Sequence, residues 1–308
     1  MPASPATRYR IATPKPTRNI AALSATEQFA TVNRFRPTAC RRPNPAPARR
    51  MKILITNDDG ITAPGLVSLC NYLNQYHDVF VVAPDNERSG VSQSITYRRP
   101  VFHKEYRIGE GIHGIGVNGY PVDCVKVAMF ELCPFRPDLV VSGINSGLNV
   151  GLNVGHSGTV AGALAGAQYG LASIALSLEE HSVMNYQRAI EIVWPVLRPL
   201  VENGQHRGSV LNVNIPTAAL EGEPEFAVVP MNANNMGYHF EKGFDPKGRL
   251  YHWQTNRPDA EPLAELCDTY AVARGIVSIT PLSPDLTHHS ELAAVSKSLR
   301  VSRLGSGA

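Results

Sequence analysis

The sequence predicts an α/β fold, a doubly wound and mainly parallel sheet with helices on both faces. Three observations predict it. A strand, a helix and a second strand follow one another between residues 52 and 83, the βαβ unit whose crossover is almost always right-handed. The strand runs are apolar without alternation, as strands covered on both faces are. The alternation of strand and helix then continues to residue 215, the pattern of a layered α/β domain.

Lys52–Thr56 (KILIT) is a short apolar run ending in the turn-rich Asn57-Asp58-Asp59-Gly60. Pro64-Gly65 opens a helix with Leu66, Leu69, Cys70 and Leu73 at i, i+3, i+4, i+7 spacing. Val79–Ala83 (VFVVA) is the second strand, stopped by Pro84-Asp85. Val122–Leu132 reads as a helix burying Val125, Met129 and Leu132, and Asp138–Ile144 (DLVVSGI) as a third buried strand. Ser157–Gly170 is a helix rich in Ala and Gly, and Ser173–Leu178 is a strand. Tyr186–Asn203 is a helix interrupted at Pro195, followed by the strand Ser209–Ile215 (SVLNVNI). Residues 217–270 mix Gly, Pro, Asn and scattered aromatics, which predicts hairpins or an excursion outside the main sheet. Gly275–Leu282 (GIVSITPL) returns to strand character, and 289–303 is expected to form a closing amphipathic helix.

The chain has 308 residues and is 43% hydrophobic, enough to bury a full core. Its net charge of +3 is uneven. Residues 1–50 hold nine Arg and Lys15 against the single acid Glu27, leaving 19 basic and 25 acidic residues in 51–308. A mildly acidic body argues against a nucleic-acid polymer as partner. No run of eighteen apolar residues occurs, so neither a membrane span nor a membrane partner is expected. Residues 1–50 carry eight of the 24 prolines and read as a disordered basic extension to a folded domain at 51–308. Translation starting at Met51 is a second reading of that segment, and organelle targeting a third. Cys40, Cys70, Cys124, Cys133 and Cys267 are widely spaced and form no C-x-x-C. They read as reduced thiols in a cytoplasmic protein, with Cys124 and Cys133 as small buried hydrophobes.

Ligands of open α/β sheets gather beyond the carboxyl ends of the strands. That rule nominates loops 57–65, 84–96 and 144–160. The first offers Asn57, Asp58 and Asp59; the second Asp85, Asn86, Arg88, Ser89 and Ser92; the third Asn145, Asn149, Asn153, Ser157 and Thr159. Neighbouring carboxylates repel unless one is protonated or a cation lies beside them. A hard divalent ion with oxygen ligands answers that need, and Ser89 and Asn145 can complete the set. Asp-Asp-Gly after a strand also reads as a turn with a helix cap. Ser157-Gly158-Thr159 opens a helix, where free N–H groups attract a phosphate. Ordinary capping by Ser157, with small residues for close packing, is the alternative. No P-loop, no G-x-G-x-x-G after the first strand and no G-x-S-x-G occurs, which excludes three common site types. His288-His289 reads as a solvated pair.

Six segments together resemble the SurE family of survival-protein nucleotidases and acid phosphatases: MKILITNDDGITAPG (51–65), VVAPDNERSGVSQSIT (81–96), GYPVDCV (119–125), PDLVVSGINSGLNVG (137–151), HSGTVAGA (156–163) and GIVSITPL (275–282). The resemblance implies a Rossmann-like core with a C-terminal hairpin and helix extension exchanged between subunits, as a homodimer or tetramer. It implies metal-dependent hydrolysis of nucleoside 5′- and 3′-monophosphates, with one Mg²⁺ or Mn²⁺ per subunit. Carried over by position, Asp58, Asp59, Ser89 and Asn145 are the metal ligands, with Asp58 and Asp59 also the catalytic pair. Asn145, Ser157, Gly158 and Thr159 are the phosphate-site residues. The chain departs from the family pattern at Tyr120, Asn153 and His156, which bears on substrate preference and pH optimum. His156 is a candidate general acid on position alone. A polyphosphatase, a general acid phosphatase and a non-catalytic nucleotide- or metal-binding protein are the rival readings.

Overall fold

The computed structural model describes residues 33–37, 49–109, 111–202, 204, 206–233, 238–256 and 267–299. The first strand, β1 (Asn33–Phe35), is followed by β2 (Lys52–Thr56), whose side chains are all buried except that of Lys52. Pro64 then begins α1 (Pro64–Leu73), where its missing N–H costs nothing. β3 (Asp78–Pro84), β4 (His103–Gly109) and β5 (Ile112–Val117) come next. α2 (Pro121–Val127) runs on into a π-helical turn over Ala128–Leu132. β6 (Leu139–Ser146) leads through a 3-10 turn at Gly151–Gly155 to α3 (Gly158–Gln168). β7 (Ala172–Leu178), α4 (Tyr186–Glu202) and β8 (Val210–Ile215) complete the alternation. The remainder is β9 (Phe226–Val228), β10 (Tyr238–Phe244), β11 (Leu250–Asn256), α5 (Asp268–Ala273), β12 (Val277–Leu282) and α6 (Leu292–Ser298).

Among the described residues ten strands form one sheet in the order β1-β9-β12-β8-β7-β6-β2-β3-β5-β4, and β10 pairs only with β11. The run from β8 to β5 is parallel throughout. β4 and β12 lie antiparallel on either side of it. From β2 the chain winds outward to β3, then returns past β2 to β6 and winds the other way. The reversal lies between β2 and β6, the topological switch point where such sheets open a crevice. Alternate side chains of the central strands enter opposite layers. Ile53 and Ile55 join Leu66, Leu69, Ile190, Val193 and Trp194 under α1 and α4. Leu54 and Val140 join Val122, Val125, Ala161 and Ala165 under α2 and α3.

Several expectations need adjustment. Helix α4 runs unbroken through Pro195 and Pro199. Both prolines are on its solvent face, where water can take up the carbonyls they leave unbonded. Asn33–Phe35 pair antiparallel with β9, with Phe35 stacked on Phe226 at 5.6 Å, so these three residues depart from the unstructured reading of 1–50. The excursion over 217–270 contains the expected hairpin, β10–β11. The expected closing helix is the short α6, which buries no residue; residues 300–303 lie outside the described residues. Cys124 is buried as expected, whereas Cys133 is only partly so; Cys40 lies outside the described residues. Among the described residues no helix is long and apolar enough to cross a membrane.

Candidate active site

The loop after β2 is closed by Asn57. Its amide donates to Gly60 O at 3.0 Å, and Gly60 N–H donates back to Asn57 Oδ1 at 3.2 Å. Gly60 has φ +106°, a conformation that costs a residue with a Cβ, so glycine suits the turn. Gly65 is demanded by contact instead: a Cβ there would stand 2.0 Å from Ile144 O at the end of β6. The turn presents Asp58, 3% exposed, and the partly exposed Asp59 at the switch point.

The other two loops close on this turn. Arg88 N–H donates to Asp58 O at 2.6 Å, and Ser92 bonds Gly155 O through its hydroxyl (2.7 Å) and His156 O through its N–H (2.9 Å). Thr159, fully buried, donates its hydroxyl to Asp58 Oδ1. Gly158 backs onto the same carboxylate, since a Cβ on it would lie 2.8 Å from both Asp58 Cβ and Oδ2. Ser157 caps α3, its Oγ accepting from Val160 N–H at 3.1 Å. Asp59 Oδ2 accepts from Ser146 N–H at 3.4 Å, which ties the pair to the end of β6 beside Asn145. The small residues of α3 serve packing: a Cβ on Gly162 would stand 2.9 Å from Ser142 Oγ, and one on Gly166 2.6 Å from Val140 Cγ2.

Electrostatics set this corner apart. Burial pushes the Asp58 carboxyl up, opposed by the Thr159 hydroxyl and by N–H groups at the start of α3. Asp59 is pushed up to about 7, by burial first, then by the charge of Asp58 and, more weakly, of Glu87. Among the described residues no lysine, arginine or histidine forms an ion pair with either aspartate. Nor does any group of three or more His, Cys, Asp or Glu there suit a metal ion. The available donor set is two carboxylates with neutral oxygens around them, which fits a hard divalent cation and leaves positions for water and substrate.

Not every nominated residue converges equally. Asp58, Gly158 and Thr159 are in direct contact, and Asp59 reaches the Asn145-Ser146 end of β6. Asn145 itself donates to Gly147 O at 2.8 Å and keeps its Oδ1 as an acceptor. Ser89 is exposed, its hydroxyl donating to Glu87 at 2.8 Å. Arg88 is occupied by Gly119 O (3.2 Å) and Asp85 (3.5 Å), with its guanidinium 5.9 Å from the Tyr120 ring centroid. The side chain of His156 is exposed. Two further residues act on the Asp59 corner. Glu87 adds a third acidic field, and its place in the second loop was a usable signal. Tyr186, at the start of α4, has its phenol raised by burial, while a hydrogen bond with Ser146 lowers it and Asp59 raises it. Nothing in the spacing of Tyr186 announces that it returns to the Asp59 corner.

The sequence profile of the family described as survival protein SurE matches residues 53–237. A protein of Rhodopirellula baltica described as 5′-nucleotidase SurE is 44% identical over 245 residues, 79% of this chain and 96% of the relative. Its counterpart in Heliobacterium modesticaldum is 39% identical over 247 residues, 80% of this chain and 91% of the relative. The crystal structure of the SurE protein from Aquifex aeolicus matches with a TM-score of 0.68 at 31% identity, covering 80% of this chain and 99% of that one. Profile, relatives and fold agree, and this chain belongs to the SurE family.

Proposed function

We propose that residues 51–308 form a divalent-metal-dependent phosphomonoesterase that hydrolyses nucleoside 5′- and 3′-monophosphates to nucleoside and phosphate. The observation that carries the reading is the Asp58-Asp59 pair, desolvated at the switch point and without a counter-cation among the described residues. The 5′-nucleotidase names of the relatives support the substrate class. Asp58, Asp59, Ser89 and Asn145 would hold one Mg²⁺ or Mn²⁺. Bound there, the ion supplies charge neutralisation and a more acidic water.

The chain's own residues do the rest. Thr159 and Gly158 hold Asp58 in one orientation. The positive end of α3 at Ser157, Gly158 and Thr159, with Asn145, binds the phosphate. Asp58 shares that helix end, so a divalent cation held by the aspartates would offset the charge that phosphate and carboxylate bring together there. Water attacks phosphorus in line as the ester P–O bond breaks, and a proton passes to the leaving oxygen. Either aspartate can orient the attacking water, and a second water can protonate the leaving group. Positioning and electrostatics supply most of the acceleration, as is general for phosphoryl transfer. The test is phosphate release from AMP, GMP, UMP and short polyphosphate with Mg²⁺, with Mn²⁺ and with chelator. Turnover of the monophosphates that chelator abolishes is expected; release from polyphosphate alone contradicts the substrate class.

The chain is further proposed to act as a homodimer or tetramer through its C-terminal extension. Phe240, Phe244, Leu250, Tyr251 and Trp253 of the hairpin are exposed, an apolar load that monomers seldom leave uncovered. Light scattering of the full chain reads the state directly, and a monomer at micromolar concentration contradicts it. The unbridged thiols of Cys70, Cys124 and Cys133 support a cytoplasmic location.

A further inference from the structure

Behind the candidate site runs a buried polar seam in which Asp268, at the start of α5, is fully buried. Its carboxylate accepts three backbone N–H groups: Gly151 on Oδ2 at 2.8 Å, and Asn232 (2.8 Å) and Thr269 (2.7 Å) on Oδ1. Two positions upstream of Gly151, Asn149 is also anchored. Its N–H donates to Asn214 Oδ1 (2.7 Å), its amide to Ser177 Oγ (2.9 Å), and its carbonyl accepts from the Asn212 and Asn214 amides (2.9 and 3.1 Å).

Gly151 opens the 3-10 turn, and Asn153 O within it accepts from the N–H groups of His156 (2.9 Å) and Ser157 (3.1 Å). The next residues are Gly158, packed on Asp58, and Thr159, hydrogen-bonded to it. A short path therefore leads from the α5 carboxylate to the catalytic pair, with few free torsions along it.

We propose that Asp268 is a positioning residue for the reaction, fixing the Gly151 end of the turn that delivers Ser157–Thr159 to Asp58. The proposal rests on the nucleotidase reading of the site. The chemistry asks for a carboxylate because an acceptor-only group satisfies three N–H donors at once. Burial pushes the Asp268 carboxyl up while the N–H groups of Gly151, Asn232 and Thr269 pull it down, so those bonds oppose the desolvation of the charged form.

Asp268→Asn tests this. Asparagine keeps the volume and can keep the bonds to Asn232 and Thr269, but it turns a donor toward Gly151 N–H. With saturating Mn²⁺, kcat on a nucleoside 5′-monophosphate is expected to fall about 10- to 100-fold, the scale of an ångström-level misplacement. Hydrogen exchange of the Gly151–Val160 amides is expected to quicken in the same variant. Thr269→Val, which removes the contacts of Thr269 Oγ1 with the Asn232 amide (3.0 Å) and with Cys267 Sγ (3.2 Å) but keeps the Thr269 N–H bond to Asp268, is expected to lower Tm and leave kcat unchanged. Asp268→Ser, too short to reach Gly151, carries the same expectation as asparagine should that variant not fold. A folded Asp268 variant with unchanged kcat overturns the proposal, and so does a Thr269→Val variant whose kcat falls with its Tm as far as that of the Asp268 variants does. A wild-type chain without phosphatase turnover overturns the nucleotidase reading instead, while the exchange rates alone still decide whether Asp268 holds the turn.

Discussion

Gly158 and Asp58 are packed so closely that the first carbon of any side chain at position 158 would lie 2.8 Å from the Asp58 carboxylate. The glycine lets the start of α3 come down on the acid that anchors the site. Gly158→Ala is expected to displace Asp58 and to lower kcat about tenfold or more, in line with the cost of misplacing a catalytic group. Stability is expected to fall as well, because Gly158 is the first residue of α3, where alanine's interior-helix advantage is not realised, and the added Cβ crowds Asp58 Cβ and Arg88 O. Steady-state kinetics beside a thermal melt separate the two effects, and wild-type kcat in the variant contradicts the contact's role.

Thr159 holds the other side of the same carboxylate. Thr159→Val keeps the shape and removes the donor, leaving a buried acceptor short of a partner at a cost of about 1–3 kcal/mol. Thr159→Ser restores the hydroxyl and is expected to recover most of the activity and stability. Urea unfolding and turnover of the two variants check this. Equal behaviour of valine and serine would show that the hydroxyl is idle.

Gly65 is constrained by backbone rather than by a movable side chain. Gly65→Ala drives a Cβ into Ile144 O, so destabilisation is expected at the upper end of the ~1–3 kcal/mol typical of overpacking. A urea midpoint within error of wild type would contradict the close approach of α1 to β6.

The aspartate pair makes stability depend on pH in a definite direction. Asp59 is raised to about 7 from an ordinary 3.8, and Asp58 is raised as well. In the metal-free protein the favourable contribution of Asp59 is complete below its unfolded-state value and is lost as pH rises through about 7, and that of Asp58 is lost in the same direction. A divalent cation replaces the missing protons. The increase in Tm on adding Mn²⁺ is therefore expected to be small near pH 5 and to grow through pH 7. A cation-induced shift that is the same at both ends of the range contradicts the assignment.

Much of this architecture was legible in the sequence because local pattern and tertiary role agree. KILIT, VFVVA and DLVVSGI read as strands from their own apolar runs and fall in strands of the fold, and Asp58-Asp59-Gly60 follows the first of them. Where the outcome depends on partners distant in the chain, the pattern is silent. Asn33–Phe35 is a strand only because β9 lies beside it. Pro195 breaks a helix on propensity, yet α4 continues because both its prolines face water. Asp268, 117 residues from Gly151 in the chain, carries no local sign of that bond. The same holds for Tyr186, which topology alone brings to Asp59. Ser89 was reached through the family pattern, and its hydroxyl is held by Glu87.

The most direct measurement is phosphate release from nucleoside 5′-monophosphates by Asp58→Asn with Mn²⁺, paired with calorimetric Mn²⁺ binding and a melt. With the fold retained, turnover is expected to fall about 10²-fold or more, the scale for removing one electrostatic stabiliser, and Mn²⁺ affinity to fall with it. Undiminished turnover by the folded variant would contradict the placement of the chemistry at Asp58 and Asp59.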